Sequence, residues 1–340
     1  MESNSLIKKI EKAGLLGRGC GTFPVAKKWS LVAAQKHKEK YVICNASESE
    51  PGIFKDKYIL EHFPEKVIDG MAIAIRLLKA QQGFIYMKPD YYHQFGKKIQ
   101  VMIGDDDIEI FAKPMESYIG GEESAMINIM QGERLEPRLK PPMITEAGLW
   151  NKPTLVNNVE TFYDISLIAQ GKYNQERFFC VSGDGFGRHV LQMNENSPVK
   201  QALEKVGWPD FNFFVQLGGA MAGTCLRSGQ LEDYTIQHYS GLVVRDMEKD
   251  EHELILDWLK FFASESCGQC VPCREGTYRL YNMYRQGNYD KQLFSDIIFS
   301  MRNSSLCSLG KMAVEAVSSY YTNIKKEALG SDGGEGRKCD

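Results

Sequence analysis

The chain has 340 residues, a formal net charge of -3 and a hydrophobic content of 43%. This length predicts two or three domains with sizeable apolar cores, and the slightly acidic balance argues against a nucleic-acid-binding surface. No apolar run approaches the ~18 residues of a transmembrane helix. The first residues, MESNSLIKKIEKAG, also lack the apolar core of a signal peptide. We therefore expect a cytoplasmic protein without a membrane span.

A glycine-rich loop at 17–29, GRGCGTFPVAKKW, is the first segment that suggests chemistry. Its glycines let backbone amides approach an anion closely, and Arg18, Lys27 and Lys28 add positive charge. It departs from the dinucleotide fingerprint G-x-G-x-x-G, because Thr22 replaces the third glycine and the preceding residues look helical. The loop indicates an anion site, with an ordinary glycine-rich helix connection as the alternative.

A short apolar run at 41–44 is predicted to form a buried strand, and polar residues follow it. These residues are Asn45, Ser47, Glu48 and Glu50. Ligands of open α/β sheets gather at the carboxyl ends of strands, so this segment is a candidate binding edge. A solvated acidic turn is the alternative. A helix at 67–78 and a strand at 83–87 continue the α/β pattern.

Two later segments add polar groups. The stretch 118–132, YIGGEESAMINIMQG, opens with a Gly-Gly turn and enters a helix, whose dipole by itself accounts for Glu122 and Glu123 in its first turn. Prolines then disfavour regular structure up to Thr154. Asn157, Asn158 and Thr161 follow at a predicted helix start, where they could face a polar ligand or simply cap the helix.

The second half of the chain changes character twice. Short strands at 178–181, 213–217 and 242–245 are separated by the glycine-rich turns SGDGFG and LGGAMAG, which predicts a small β domain. From Glu251 the spacing of apolar residues is helical, with Leu254, Trp258 and Phe261 on one face.

Four cysteines in this helical part have the spacing of an iron–sulfur site. Cys267, Cys270 and Cys273 are separated by two residues each, and Cys307 follows after 33 more. Thiols this close together cannot all form disulfides without strain, but they suit a 4Fe–4S cluster closed by a distant fourth ligand. A four-thiolate zinc site is the alternative, although such sites usually contain two C-x2-C pairs. We expect the remaining cysteines to be bystanders: Cys20, Cys44, Cys180, Cys225 and Cys339.

Six collinear motifs carry a family resemblance. They are GRGCGTFP, CNASESEPGIFKDK, YIGGEES, EPRLKPP, GLWNKPTLVNNVETF and ESCGQCVPCREGT. Together they resemble the NADH-binding flavoprotein subunit of respiratory complex I and the beta subunits of NAD-linked hydrogenases and formate dehydrogenases. The resemblance implies an α/β FMN domain at 1–171, a β-grasp (ubiquitin-like) domain at 172–248 and a helical 4Fe–4S domain at 249–328. A flexible tail is expected at 329–340.

The resemblance also implies roles for individual residues. Those expected to bind FMN or the nucleotide are Gly17, Arg18, Gly19, Phe23, Lys28, Asn45, Glu48, Tyr118, Gly121, Glu122, Glu123, Lys140, Asn157, Asn158 and Thr161. Glu50 and Glu123 are implied as catalytic. The cluster ligands are implied to be Cys267, Cys270, Cys273 and Cys307.

This sequence departs from the family pattern mainly on the nucleotide side. The departures are Cys20 and Thr22 in the glycine loop, Leu31, Ser47 in place of an acidic residue, Met143 in place of an aromatic residue, and the segment 113–117, KPMES, in place of a glycine-alanine run. Two lost rings cost about 1 kcal/mol each in stacking on adenine. We therefore expect FMN binding to be better preserved than NADH binding.

The resulting hypothesis is a flavin-based electron-transfer subunit. NADH is oxidised or formed at FMN, and single electrons pass to the 4Fe–4S cluster and on to partner subunits that contain iron–sulfur, hydrogenase or formate dehydrogenase centres. The first alternative is an FMN/4Fe–4S relay that has lost NAD(H) binding. The second is a structural subunit without FMN. The sequence leaves open the choice between NADH and NADPH and the direction of electron flow.

Overall fold

The structure is a computed structural model that describes residues 2–19, 21–287 and 290–327. Cys20, Cys339 and the predicted tail at 329–340 lie outside the described residues. The chain divides into two compact units. Residues up to Ser49 and Phe54–Phe178 form the first unit, whereas Glu50–Ile53 and the residues from Phe179 onward form the second. No described helix has both the length and the apolar character needed to cross a membrane.

The first unit is built on a four-stranded parallel sheet. Its strands are β1 (Tyr41–Ala46), β2 (Gln82–Met87), β3 (Ile108–Ala112) and β4 (Thr154–Asn158), in the spatial order β3-β2-β1-β4. The central strand β1, YVICNA, is almost entirely buried, as expected for a parallel strand that helices cover on both faces. All pairs are parallel, so the carboxyl ends of the strands meet at one edge.

Within the described residues, eight α-helices accompany this sheet. They are α1 (Glu2–Ala13), α2 (Val25–Ala34), α3 (Lys55–His62), α4 (Pro64–Leu78), α5 (Pro89–Ile103), α6 (Glu123–Met130), α7 (Ile144–Ala147) and α8 (Val159–Ala169). Helices α4 and α8 nearly touch at Gly70, where an added Cβ would lie 2.0 Å from the carbonyl oxygen of Phe162. The short α7 interrupts the stretch that was predicted to be irregular, because Glu146 accepts a hydrogen bond from the Met143 amide and caps it.

The second unit contains a five-stranded sheet. Its strands are β5 (Glu176–Gly183), β6 (Phe186–Asn194), β7 (Phe213–Leu217), β8 (Thr224–Arg227) and β9 (Gly241–Asp246), in the order β6-β5-β9-β7-β8. Strands β5 and β9 pair in parallel, whereas β7 is antiparallel to both β8 and β9. Helix α9 (Lys200–Val206) packs Ala202 and Leu203 into the apolar core over this sheet. The strands predicted at 178–181, 213–217 and 242–245 are confirmed.

A helical region completes the second unit. It consists of α10 (Glu251–Glu265), α11 (Val271–Gln286), α12 (Lys291–Ser304), α13 (Ser308–Met312), α14 (Glu315–Ser319) and a π-helical turn at Tyr320–Lys325. Its last part covers the edge strand β8. The Asn323 side chain donates to the Cys225 carbonyl at 2.8 Å, and the Cys225 amide donates to Ser319 Oγ at 2.8 Å. The outer edge of the sheet is thereby hydrogen-bonded to the helical region.

Candidate flavin and iron–sulfur sites

The predicted asparagines converge at the carboxyl edge of the first sheet. Asn45 in β1 is paired in register with Asn158 at the end of β4. The Asn45 side chain donates to the Gly121 carbonyl at 2.9 Å, which joins this edge to the turn before α6. With its amide oriented to satisfy both ends, Asn157 accepts from Trp29 Nε1 at 2.9 Å and donates to the Val156 carbonyl. Three segments that are distant in sequence therefore form one polar edge.

The glycine loop folds tightly against this edge. The Gly17 amide donates to the Phe23 carbonyl at 3.0 Å, and a Cβ on Gly17 would lie only 2.7 Å from the Gly21 carbonyl oxygen. A Cβ on Gly19 would lie 3.8 Å from that of Asn158. The loop thus brings bare backbone next to the strand ends, and a side chain at Gly17 would clash with the loop itself.

Arg18 points into the protein rather than toward the loop surface. Its guanidinium is fully buried and donates to Asp164 at 2.9 Å and to the Tyr173 hydroxyl at 2.9 Å. Its backbone amide donates to Thr161 Oγ1 at 3.1 Å. Burial raises the pKa of Asp164 to about 7, although Arg18 beside it favours the charged carboxylate. Arg18 and Thr161 therefore fix the loop onto α8.

Two lysine–glutamate pairs lie beside the start of α6. Lys28 Nζ contacts the Glu123 carboxylate and also donates to the Val156 carbonyl at 3.1 Å. Glu122 caps α6 by accepting from the Ala125 amide at 2.9 Å, and its other oxygen accepts from Lys140 at 3.1 Å. Glu122 thus caps the start of α6 and forms a salt bridge with Lys140.

Glu48, which is half-buried, caps α3 from the turn after β1. Its carboxylate accepts from the amides of Asp56 and Lys57 at 3.1 and 3.3 Å, and from the Tyr91 hydroxyl at 2.7 Å. Burial and, secondarily, the nearby Asp56 raise the pKa of Glu48 to about 7. Glu48 therefore anchors the turn that follows β1.

A buried charge network that sequence reasoning missed lies behind this edge. Lys55 Nζ donates to Asp56 at 2.5 Å and to Asn158 Oδ1 at 2.8 Å, and it pairs with Glu160 at 3.2 Å. Burial opposes the charge on Lys55, but these carboxylates raise its pKa above the ordinary value. The polar run FKDK directly after the β1 turn was the available signal, although charged runs usually indicate exposed surface.

The remaining candidate side chains of the first unit are more exposed to solvent. Phe23 is 42% exposed, and Lys27 lies over its ring at 5.5 Å. Tyr118 is half-buried just before the Gly-Gly turn, and a Cβ on Gly121 would lie 3.3 Å from the Ser47 carbonyl oxygen. Met143 is exposed and therefore provides apolar surface at the position of the missing aromatic ring.

Glu50 belongs to the second unit, unlike the other flavin and nucleotide candidates. Its carboxylate accepts from the amides of Met221 and Ala222 at 2.8 and 3.1 Å. Gly219 has a φ of +137°, and a Cβ there would lie 2.2 Å from the Glu50 side chain. Glu50 thus fills the glycine-rich turn between β7 and β8.

The four cysteines expected to bind the cluster are brought together by helix ends within the second unit. Cys270 is the residue before α11, Cys273 lies in its first turn, and Cys307 immediately precedes α13. Burial raises the pKa of Cys273 to about 12, and Cys270, Cys307 and Cys267 are close enough to act on it in the same direction. A Cβ on Gly310 would lie 2.9 Å from that of Cys273, so α13 packs directly against α11.

No group of three or more His, Cys, Asp or Glu side chains in the described part of the chain is arranged to hold a single metal ion. A 4Fe–4S cluster distributes its four thiolates over separate irons, so its ligands do not need to meet at one point. Ser266 Oγ lies 3.4 Å from Cys273 Sγ and provides a polar neighbour for this sulfur.

Comparisons with known proteins decide the family. Residues 10–167 match the Nuo51 FMN-binding domain, and residues 253–329 match the NADH-ubiquinone oxidoreductase-F iron–sulfur binding region. The corresponding subunit of the NADH-quinone oxidoreductase of Aquifex aeolicus is 33% identical over 92% of this chain and 82% of its own length. The chain belongs to the NADH-ubiquinone oxidoreductase-F family.

Two hydrogenases are also similar to the chain. The alpha subunit of the NAD-reducing hydrogenase HoxS of Cupriavidus necator is 31% identical over 91% of this chain. A crystal structure of an NAD+-reducing [NiFe]-hydrogenase in the H2-reduced state superposes with a TM-score of 0.87 at 28% identity, over 95% of this chain. The chain spans 58% of the first relative and 62% of the second.

The residues present fit both cofactors of this oxidoreductase family. Gly19 lies next to Asn158 and Gly121 next to Asn45, so both leave bare backbone near this asparagine pair, as the close approach of a flat ring and a phosphate requires. The cluster region supplies four cysteines without a disulfide among them. This chain therefore has an FMN-binding domain and a 4Fe–4S region.

Proposed function

We propose that this chain oxidises or forms NADH at FMN and passes electrons singly through its 4Fe–4S cluster to partner subunits. The observation that carries this proposal is the convergence of the glycine loop, Asn45, Asn158 and the Gly121 turn at one sheet edge, in a chain that also contains the four-cysteine site. FMN, when bound, supplies the conversion between two-electron and one-electron transfer. The similarity to an NADH-quinone oxidoreductase subunit and to an NAD-reducing hydrogenase subunit supports NAD(H) as the nucleotide.

In this proposal the backbone of the 17–19 loop and the polar groups of Asn157 and Asn158 hold the phosphate end of FMN. Arg18 and Thr161 hold the loop against α8. Asn45 and the 118–121 turn frame the ring, while Glu48 anchors the turn after β1. Lys28 positions Glu123, and both border the expected nucleotide pocket.

For the nucleotide, Phe23, Glu123 and Lys140 supply an exposed ring and two charged groups on the first unit. One observation favours the relay alternative. Both carboxylates expected to be catalytic are already engaged, Glu123 with Lys28 and Glu50 with the amides of 221–222. The proposed function is kept because the polar residues expected at the nucleotide are retained, whereas the two lost aromatic rings reduce stacking on adenine. We therefore expect a functional nucleotide site with weakened affinity.

We also propose that the chain has three parts: an FMN domain at 1–171, a β-grasp domain at 172–248 and a helical cluster domain at 249–328. The strand order β6-β5-β9-β7-β8, with a parallel central pair and one helix after the first hairpin, supports the β-grasp assignment. We propose a cytoplasmic location and partner subunits with iron–sulfur, hydrogenase or formate dehydrogenase centres.

The test is an anaerobic spectrum of the purified chain before and after NADH, with NADPH in a parallel sample. We expect stoichiometric FMN and four irons, and bleaching of the flavin by saturating NADH. Asn158→Ala should lower FMN occupancy at unchanged iron content, while the exposed Gln94→Ala serves as the matched control. If FMN stays oxidised under saturating NADH and NADPH, the relay function replaces the proposed one. If no FMN binds at all, both functions are wrong.

A further inference from the structure

A buried lysine at the carboxyl edge of the first sheet has no role in the functions proposed above. Lys113 directly follows β3, and only 2% of its surface is exposed. Its Nζ donates to Ser47 Oγ at 3.0 Å and to the Ser117 carbonyl at 2.5 Å. Ser47 lies between Asn45 and Glu48, and Ser117 directly precedes Tyr118. The ammonium group therefore lies between the two segments that are proposed to frame the FMN ring.

The surroundings hold this charge in a fixed position. A Cβ on Gly120 would lie 2.8 Å from Lys113 Cε and 3.0 Å from Nζ, so a side chain at position 120 would displace the lysine. Ser47 is itself fixed, because its amide donates to Asn45 Oδ1 at 3.1 Å. The cation is thus rigidly connected to the asparagine that joins β1 to the Gly121 turn.

Joining the two segments does not by itself require a charge. Ser49 Oγ already bridges them, with distances of 3.4 Å to both the Ser47 and Ser117 carbonyl oxygens. Burying a lysine is costly compared with burying a hydroxyl or an apolar side chain. Moreover, Ser47 and the 113–117 segment are two of the places where this sequence departs from the pattern that it resembles. The two departures contact each other, and together they make this edge more positive.

We infer that Lys113 is a positioning residue that raises the midpoint potential of FMN by holding a positive charge against the Ser47–Asn45 segment. This inference rests on the proposed function. A flavin ring becomes more negative when it is reduced, and a nearby fixed cation favours the more negative form. Because the site is buried, water screens this effect weakly. A higher potential favours electron flow from a hydride donor into FMN over the reverse reaction.

The test uses the full chain with FMN and cluster bound. Lys113→Met removes the charge at similar length, and Ser47→Asp places a carboxylate against the ammonium to neutralise it. The exposed Lys97→Met on α5 is the matched control. Anaerobic spectroelectrochemical titration gives the potential, and titration with oxidised FMN gives its dissociation constant. In each of the two site variants, we expect the preference for binding reduced rather than oxidised FMN to fall at least tenfold. A tenfold fall lowers the two-electron midpoint potential by about 30 mV.

The outcomes separate charge from structure. A purely structural lysine would change thermal stability and FMN occupancy without moving the potential. If both site variants bind FMN and keep the potential of the wild type, the inference is wrong. If Lys113→Met fails to fold, Ser47→Asp alone decides, because it keeps the lysine and gives it a charged partner. If the wild type binds no FMN, the proposed function fails first, and this inference fails with it.

Discussion

Replacing Gly310 with alanine tests whether the packing of α13 on α11 sets the cluster geometry. The new Cβ would lie 2.4 Å from Ser305 Oγ and 2.9 Å from Cys273 Cβ, whereas ordinary contacts begin at 3.4 Å. Helix α13 must therefore move by roughly 0.5–1 Å, and Cys307 at its start moves with it. Overpacking of this kind costs about 1–3 kcal/mol, and about 2 kcal/mol already changes an equilibrium roughly 30-fold.

We expect Gly310→Ala to lose most of its iron and acid-labile sulfide while FMN occupancy stays at the wild-type level, because the flavin candidates belong to the other unit. Gly276→Ala is the matched control, since its Cβ would meet the Met301 side chain, with Sδ at 2.4 Å, rather than an expected cluster ligand. Iron and sulfide analysis, with electron paramagnetic resonance of the reduced protein, provides the measurement. Full iron content and an unchanged spectrum in Gly310→Ala would refute the reasoning.

Three further predictions follow from single contacts. Gly70→Ala forces α4 away from the Phe162 carbonyl and should lower the free energy of unfolding, measured by denaturant titration, by about 3 kcal/mol or more. The control Gly96→Ala in α5 should lower it far less. The pKa of Glu48 is raised to about 7, so between pH 4.5 and 7 the unfolded chain binds fewer protons there than the folded chain. Stability, measured as the melting temperature, should therefore fall as the pH rises through this range, and Glu48→Gln should reduce the fall. Glu50→Ala should lower both thermal stability and NADH turnover, whereas Glu50→Gln should keep the stability, because it retains an acceptor oxygen for the amides of 221–222. Equal stability of Glu50→Ala and the wild type would contradict this role of Glu50 in the turn.

The polar edge of the first unit could be predicted because its residues follow strands. Asn45 and Asn158 end neighbouring parallel strands, and strand ends are visible as the point where an apolar run stops. The cluster cysteines could be predicted for a similar reason, since their spacing is local. Both predictions depended on short-range patterns, and the three-dimensional contacts agree with them.

Buried charges could not be predicted in the same way. Arg18 was expected to face an anion, and nothing local marked Lys55 or Lys113 as buried. Lysine and arginine are rarely buried unless a partner from elsewhere in the chain meets them. Their partners are distant, such as Asp164 for Arg18 and Glu160 for Lys55. The place of Glu50 could not be predicted for another reason. Its local sequence indicates a turn, but not that its carboxylate fills a glycine turn about 170 residues later.

The hydrogen bonds between β8 and the end of the chain have a consequence for maturation. An open edge strand offers unpaired backbone groups to any other extended chain, and here Ser319 and Asn323 occupy those of Cys225. The helices that present these side chains are the same ones that follow Cys307. We therefore expect loss of the cluster to loosen this cover, expose β8 and promote aggregation, with faster hydrogen exchange at the β8 amides as the early sign. Insertion of the metal cluster would then also act as quality control for the neighbouring sheet.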